Sequence, residues 1–483
     1  MSIHKKIVRG GIGLQKEELK RRALSIVPLP SHYKLIIEEY SEDERVMFIW
    51  ANKQQDESIT VELDCTGHLI HLSIETNDTV SEASSSLSIE EKRRSAEQFL
   101  LSHYPAALKD LTFSQVKKLS RVERFYFEQF VMDVPLAHAG CFIDVDALGS
   151  IVRFRYNGVK TSPEIPSKLV SKEALMEYVR NSLALKQVIT NLSRDVYKVK
   201  EDGLHLVYEV QSFLNFKADA LEPTLTIIHD ENEPESYTAL PPLPANLMVH
   251  EFTNEAIIGL TDELELIREV DTGPELGIVW RKRSWEMKEK DLSINSFFKM
   301  QSEDTVKAFI SKKTGKIQSF GWLHKRFGNL QLNQEACYQI AIDFLLKIIP
   351  DYYPYLQRLI RGDEEEDERE SVSFIFHAHN QGIFIFDIVM VAVNRTTGQI
   401  DYYSGPNFDL DELSQIPTVP AISLEKAYRR FLENIDFQLA WDKNYEDEIE
   451  SYQLVYQACD RHTRLPIRYI DATTGEIIVS NVY

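Results

Sequence analysis

The chain has 483 residues, 43% hydrophobic and 27% charged, an ordinary globular composition but more length than one hydrophobic core serves. Its 54 Lys and Arg against 75 Asp and Glu leave a formal charge of −21, which repels phosphate backbones and anionic lipid and so argues against nucleic acid as a partner. No run approaches the ~20 apolar residues of a membrane span, and the polar, basic N-terminus lacks the apolar stretch of a signal peptide. The expected location is the cytoplasm, with Cys65, Cys141, Cys337 and Cys459 as buried free thiols.

In chain order, the first element is an amphipathic helix at 15–27, followed by a hairpin, VELDCTGHLIHL (61–72), that turns at Gly67. A second helix at 88–104 opens with Ser and early Glu, a capping signature, and Pro105 stops it. The hairpin CFIDVDALGSIVRF (141–154) follows with Gly149, then a helix at 171–185 and the strand LVYEV (206–210). Beyond it the pattern fails, with Asp230, Glu231 and Asn232 where a Gly turn belongs and Pro223 against a central strand.

Downstream the same series returns. Helices are expected at 254–264, 333–349 and 423–435, the second with an apolar stripe (Ala336, Ile340, Phe344, Ile348) that Pro350 ends. Hairpins are expected at 307–320, 389–403 and 467–480, turning at Gly315, Gly398 and Gly475. Glycine fits these corners because a tight hairpin needs φ > 0, which it adopts without steric cost.

Spacing makes the repetition a duplication. SAEQFLLSHYPAALKDL (95–111) matches IAIDFLLKIIPDYYPYL at an offset of 245, VSKEALMEYV (170–179) matches ISLEKAYRRF at 252, LVYEV matches LVYQA at 248, and VMFIW (46–50) matches LGIVW at 230. The expected organisation is a tail (1–14), copy A (15–235), a Pro-rich linker (236–249) and copy B (250–483), each copy holding three units. The fold class is α+β: tandem repeats of an amphipathic helix plus an antiparallel β-meander, in two duplicated halves.

Candidate chemistry is sparse. His377 and His379 stand i and i+2 in FIFHAHNQG, on one strand face, and are the candidate metal pair if a third ligand approaches from another strand; otherwise they mark a strand end. His68 and His71, three apart, face opposite ways. GDEEEDERE (362–370) carries seven acids in nine residues without calcium-loop spacing and reads as a solvated loop, while its counterpart at 113–123 is basic. Asp387, inside FIFDIVMV, would be costly as an ionised carboxylate unless paired or hydrogen-bonded, and an edge position or an Arg partner is expected there in preference to a catalytic acid. Tyr352, Tyr353, Tyr355, Tyr402 and Tyr403 read as core filler, some of them able to line a peptide groove. Nucleophile-elbow, P-loop and HExxH motifs are absent. No catalytic residue and no cofactor are assigned.

The helix SLEKAYRRFLENI (423–435), the strand YQLVYQAC (452–459) and above all LPIRYIDATTGEII (465–478), with Asp471, Thr473, Thr474 and Gly475, carry a resemblance to the YcdB/YcdC repeated-domain family of spore-forming Gram-positive bacteria, whose subunits resemble PepSY-like domains. That resemblance implies no catalytic residues. It implies restraint of peptidases or sensing of the wall environment, although this sequence shows no secretion signal. The expected function is a non-catalytic protein or peptide interaction through sheet edges or a cleft, with a protein or peptide partner and no nucleic acid. The alternatives are a metal- or small-ligand-binding sensor, or a hydrolase with a site assembled from distant residues.

Overall fold

The computed structural model describes residues 14–41, 45–77, 87–210, 215–226, 236–245, 252–287, 291–360, 370–444 and 451–481. The first copy opens with α1 (Lys16–Ile26), β1 (Lys34–Tyr40), β2 (Arg45–Ala51), β3 (Ser58–Asp64) and β4 (Leu69–Glu75). It continues through α2 (Ile89–His103), β5 (Thr112–Lys118), β6 (Glu123–Glu128), a short ribbon of β7 (Phe130–Val131) and β8 (Val134–Pro135), then β9 (Gly140–Val145) and β10 (Ile151–Gly158). Its last part comprises α3 (Lys172–Ser182), β11 (Leu185–Leu192), β12 (Gly203–Val210) and β13 (Asn215–Lys217), and β14 (Ser236–Ala239) follows within the stretch expected to link the copies.

The second copy repeats the series. It runs α4 (Asn254–Ile258), β15 (Leu264–Asp271), β16 (Glu275–Lys282), α5 (Ile294–Ser302), β17 (Thr305–Ser311), β18 (Ile317–Trp322), α6 (Gln334–Ile348), β19 (Leu356–Ile360), β20 (Ser371–Asn380), β21 (Ile383–Asn394) and β22 (Ile400–Ser404). It closes with α7 (Leu410–Gln415), α8 (Leu424–Asn434), β23 (Ile435–Asn444), β24 (Ser451–Asp460), β25 (Ile467–Asp471) and β26 (Ile477–Val479).

Strand order demonstrates the duplication. The first sheet is an antiparallel run β1-β2-β3-β4-β10-β9-β6-β5, and the second is β15-β16-β17-β18-β22-β21-β20-β19, element for element the same path. The five hairpin glycines all take the left-handed conformation, with φ of 87° at Gly67, 88° at Gly149, 69° at Gly315, 70° at Gly398 and 80° at Gly475. The helices begin as their caps dictate: Ser88 accepts from the Glu91 N–H while the Glu91 carboxylate bonds back to the Ser88 N–H, and Asn333 accepts from the Ala336 N–H. Each long helix buries one stripe, Ala96 and Leu100 on α2 and Ala341 and Leu345 on α6. These cover the sheet face that carries Phe125, Ile143 and Phe154 in the first copy and Phe374, Val391 and Tyr403 in the second.

Two compact units result. One comprises residues through Lys168 together with Met287–Gln301 and Leu439–Val455; the other comprises Leu169–Glu286, Ser302–Gln438 and the chain from Tyr456. In the first unit the β1 edge is closed by the chain itself, because the Glu38 N–H donates to the Leu292 carbonyl at 2.7 Å and the Ile294 N–H donates to the Glu39 carboxylate at 2.8 Å.

The terminal parts of the two copies do not fold separately. β12 pairs antiparallel with β25, so that Val207 faces Asp471 and Tyr208 faces Ile470, and β13 joins β24 and β23 in a three-stranded sheet. The Tyr208 hydroxyl donates to the Ile422 carbonyl at 2.8 Å, while Phe216 packs edge-on against Phe437 with ring centroids 5.7 Å apart. Sequence-equivalent hairpins have exchanged places, and each completes the sheet of the other copy.

Three local expectations are corrected. The helix expected at 254–264 spans only Asn254–Ile258, because Gly259 takes φ 78° and ends it. Cys65 lies past the end of β3 and is half-buried, whereas Cys141, Cys337 and Cys459 are buried; all four are free thiols. Asp387 has no Arg partner among the described residues. Ile385 pairs with Ala378 and Ile388 with His377, so Phe386 and Asp387 bulge out of β21, and the Asp387 carboxylate accepts the Asn407 N–H at 2.8 Å. Burial pushes this carboxyl above its ordinary value despite the N–H groups of Asn407 and Ile388.

Candidate functional site

Helix α6 covers one face of the second sheet, and no described helix of its unit covers the opposite face. Strand alternation sets its composition. Cross-strand pairing aligns Arg268, Val279, Lys307, Gly321, Tyr402, Ala392 and Ser373 in one row, and Val270, Gly277, Phe309, Ser319, Ser404 and Met390 in the next. Two of these positions are glycines, and each lies beneath an aromatic ring. A Cβ on Gly277 would meet the Phe309 ring at 3.2 Å, and one on Gly321 would meet the Tyr402 ring at 3.4 Å. The rings therefore lie flat across neighbouring strands while remaining 39% and 42% exposed.

These rings floor a groove of about 550 Å³, which the chain leaving β18 (Trp322 to Arg326) and the end of β21 wall in. Its polar wall is a closed network. Asp401 accepts from Arg326 Nε at 3.0 Å, from Asn394 Nδ2 at 2.9 Å and from the Ser371 hydroxyl, and the Arg326 guanidinium lies 4.1 Å over the Trp322 ring. Burial pulls Arg326 below its ordinary value while the Asp401 carboxylate opposes the shift. Lys307 differs: its ammonium donates to Ser302 Oγ at 3.0 Å, and no described carboxylate is in ion-pair contact with it. Burial, and then the positive charges of Arg268 and Arg281, push it below its ordinary value.

Further along the same sheet face, the β21 bulge leaves Phe386 58% exposed and Ile388 exposed beside it. Here stand the two histidines singled out by their spacing. His377 and His379 do occupy one face of β20, both half-buried. His377, however, sits among rings, 5.3 Å from Tyr237 and 5.1 Å from Phe384. Burial pushes the His379 imidazole below its ordinary value, and its Nδ1 has no hydrogen-bond partner. Among the described residues no group of three His, Cys, Asp or Glu side chains is placed to hold a metal ion. Residues 362–369 of the acidic run lie outside the described residues. Of the tyrosines, Tyr353 and Tyr403 are buried, and Tyr402 forms the groove floor.

With this architecture established, comparison with known proteins is decisive. The model of the YcdB, YcdC repeated domain matches residues 16–158 and again 251–407. The chain belongs to the YcdB/YcdC repeated-domain family. It is 33% identical to YcdB of Bacillus subtilis (strain 168), over 98% of this chain and 100% of that protein, and 29% identical to YcdC of the same organism, over 91% and 96%. Among solved structures, the Bacillus megaterium YpeB C-terminal domain aligns over 42% of this chain and 89% of its own length at 13% identity and a TM-score of 0.27. Each matched repeat of the family spans one of the two eight-stranded paths, and the groove belongs to the second.

Lys307 and Phe309 were not among the residues singled out from the sequence, whereas Tyr402 was, among tyrosines read as core filler with some able to line a peptide groove. A signal existed nonetheless. The residue four beyond Gly149 and Gly398 points away from the core, and comparing these positions sets Arg153 of the first repeat against Tyr402 of the second. What could not be read was the aromatic cover over Gly277 and Gly321, which depends on which strands are neighbours.

Proposed function

We propose that this chain is a non-catalytic interaction protein that binds a protein or peptide through the open face of the second repeat's sheet, in the cytoplasm, where its free thiols stay reduced. The recurring helix-plus-meander unit is read as PepSY-like. The observation that carries the proposal is the set of exposed aromatic and aliphatic side chains, Phe309, Tyr402, Ile388 and Phe386, on a sheet face that no described helix of its unit covers.

The test is quantitative capture from a native extract with the full chain, the double variant Phe386→Ser/Ile388→Ser, and a control altered at Thr60 on the first sheet. A partner retained by wild type and the Thr60→Ala control but lost by the double variant supports the proposal. Equal recovery by all three refutes it.

A further inference from the structure

The two eight-stranded paths differ at their last strand. In the second repeat a further strand is added beyond β19. β14 pairs with it antiparallel, Ser236 opposite Ile360, Tyr237 opposite Leu359, Thr238 opposite Arg358 and Ala239 opposite Gln357. β5 is the counterpart of β19: Phe113 precedes Arg358 by the offset of 245 found between the helices before them, and the two face Phe127 and Phe376 in equivalent strands. Yet β5 ends its sheet, and no described strand or backbone group pairs with its outer edge. A strand in that position leaves alternate N–H and C=O groups unpaired, and an added strand takes them up. Side chains along this edge set what the added strand should carry. Gln115, Val116, Lys117 and Lys118 are all exposed. Lys117 stands directly opposite Arg124, a cation facing a cation, and Arg124 is held by Asp144. Lys118 stands opposite Glu123, but that carboxylate accepts from the Lys92 ammonium at 2.7 Å. Arg121 follows in the loop to β6. Among the described residues, the side chains of Lys117, Lys118 and Arg121 make no hydrogen bond and no ion pair. Lysines on an edge turn away a second β5, which carries the same charge, and favour a strand of opposite sign.

We propose that the outer edge of β5 receives an extended acidic segment of a partner protein, antiparallel, as β19 receives β14. The pairing fixes the direction of that segment. Its acids lie at its N-terminal end, opposite Lys117 and Lys118, and uncharged β-forming residues follow opposite Gln115 to Thr112. Successive side chains of a strand point to opposite faces, so two adjacent acids reach both lysines. A peptide fits better than a nucleic acid, because only a polypeptide strand uses the free N–H and C=O groups, and the net charge of −21 repels a phosphate backbone. This edge shares no residue with the open face of the second repeat and goes beyond the reading above.

The experiment uses the full chain and fluorescence anisotropy. The probe is a labelled heptapeptide of two glutamates followed by alternating valine and threonine. It is compared with its glutamine counterpart, with the reversed order that puts the glutamates last, with two versions N-methylated at alternate residues in either phase, and with a single-stranded oligonucleotide. The acid-first peptide is expected to bind, and the glutamine and acid-last peptides to bind about tenfold more weakly or worse. N-methylation in at least one phase should abolish binding, because it removes the N–H groups of the ladder. Lys117→Glu/Lys118→Glu should abolish binding, and Lys117→Arg/Lys118→Arg should retain it. The proposal is overturned if the acid-first peptide does not bind, if the glutamine or acid-last peptide binds equally well, if both N-methylated peptides bind like their parent, if the charge-reversed variant binds like wild type, or if the oligonucleotide binds as tightly. A dimer in sedimentation velocity that Lys117→Glu/Lys118→Glu dissolves would also overturn it, since a second copy would then hold the edge. Phe386→Ser/Ile388→Ser should bind the peptide like wild type. Partner capture that depends on Phe386 and Ile388, with no peptide bound at β5, would sink the edge and leave the broader interaction function standing.

Discussion

Position for position, the outer row of the first sheet reads Thr60, Ser73, Arg153, Asp144 and Arg124, where the second reads Lys307, Gly321, Tyr402, Ala392 and Ser373. In the first repeat the row is closed by internal ion pairs. Arg124 grips Asp144 with two hydrogen bonds of 2.6 and 2.8 Å, Arg153 lies 3.6 Å from Glu75, and Glu62, the counterpart of Phe309, pairs with Arg45 at 3.2 Å. In the second repeat the acids are gone from these positions, rings lie over glycines, and Lys307 has no ion-pair partner among the described carboxylates. Frame and core are held in common because both faces of the hairpins must pair and pack. The outer face is free to diverge because its side chains pair with one another or with water instead of filling the common core. The first repeat closes its outer row with its own ion pairs, and the second exposes aromatic rings in the same places.

The strongest test of the scaffold role is Asp144→Ala. Asp144 is 3% exposed, and removing it strands the Arg124 guanidinium, so unfolding free energy should fall by about 3–5 kcal/mol in urea titration. A change no larger than that of Lys307→Met, expected within about 0.5 kcal/mol, would erase the distinction between the two faces.

A smaller effect probes the cores. Tyr403 stands where the first repeat has Phe154, and its buried hydroxyl has no hydrogen-bond partner. It fits because Gly405, the counterpart of Tyr156, leaves space, since a Cβ there would lie 2.5 Å from the Tyr403 hydroxyl oxygen. Tyr403→Phe should therefore stabilise the protein by about 1 kcal/mol, and Phe154→Tyr should destabilise it by about 1–3 kcal/mol. Both are readable as shifts in the urea midpoint, and a loss of stability in Tyr403→Phe would show that the hydroxyl is satisfied.

The smallest expected effect concerns acid sensitivity at the hairpin turns. Burial alone would raise the Asp471 carboxyl, but His205, 3.9 Å away, and the N–H groups of Thr474 and Thr473 outweigh it and hold the group well below its ordinary value of 3.8. A depressed carboxyl stabilises fully above that ordinary value, and the contribution is lost as pH falls from there toward the folded value. Asp64 in the first repeat is also lowered: burial would raise it, but Thr66 and His68 outweigh that. Asp471→Asn should flatten the acid limb of the stability curve more than Asp64→Asn does. Equal limbs would show that His205 adds nothing.

Much of this was legible along the chain. Turn glycines, Ser and Asn caps and helix stripes are local devices, so the hairpins at Gly315, Gly398 and Gly475 and the helices α2 and α6 stand where the pattern placed them, within a residue or two. The offsets between copies carried through to matching strand orders because repeated sequence meets the same packing problem twice. Asp387 was misjudged because a bulge is set by its partner strand, and the helix expected at 254–264 was too long because Gly259 ends it where the apolar pattern runs on. His377 and His379 shared a face, as period two requires, yet one ring beside His377, Tyr237, comes from β14, a strand distant in sequence.

Taken alone, the amino-acid sequence determined the duplication, the α+β class and the corner glycines, since each depends on torsion preference and periodicity within a few residues. Tertiary structure decided the rest. It exchanged the last hairpins, so that β25 completes the sheet of β12 and β13 that of β24, because equivalent strands present equivalent edges and the chain can satisfy either. It also made the groove, because the cover of Phe309 over Gly277 and of Tyr402 over Gly321 exists only between strands that pairing has brought side by side.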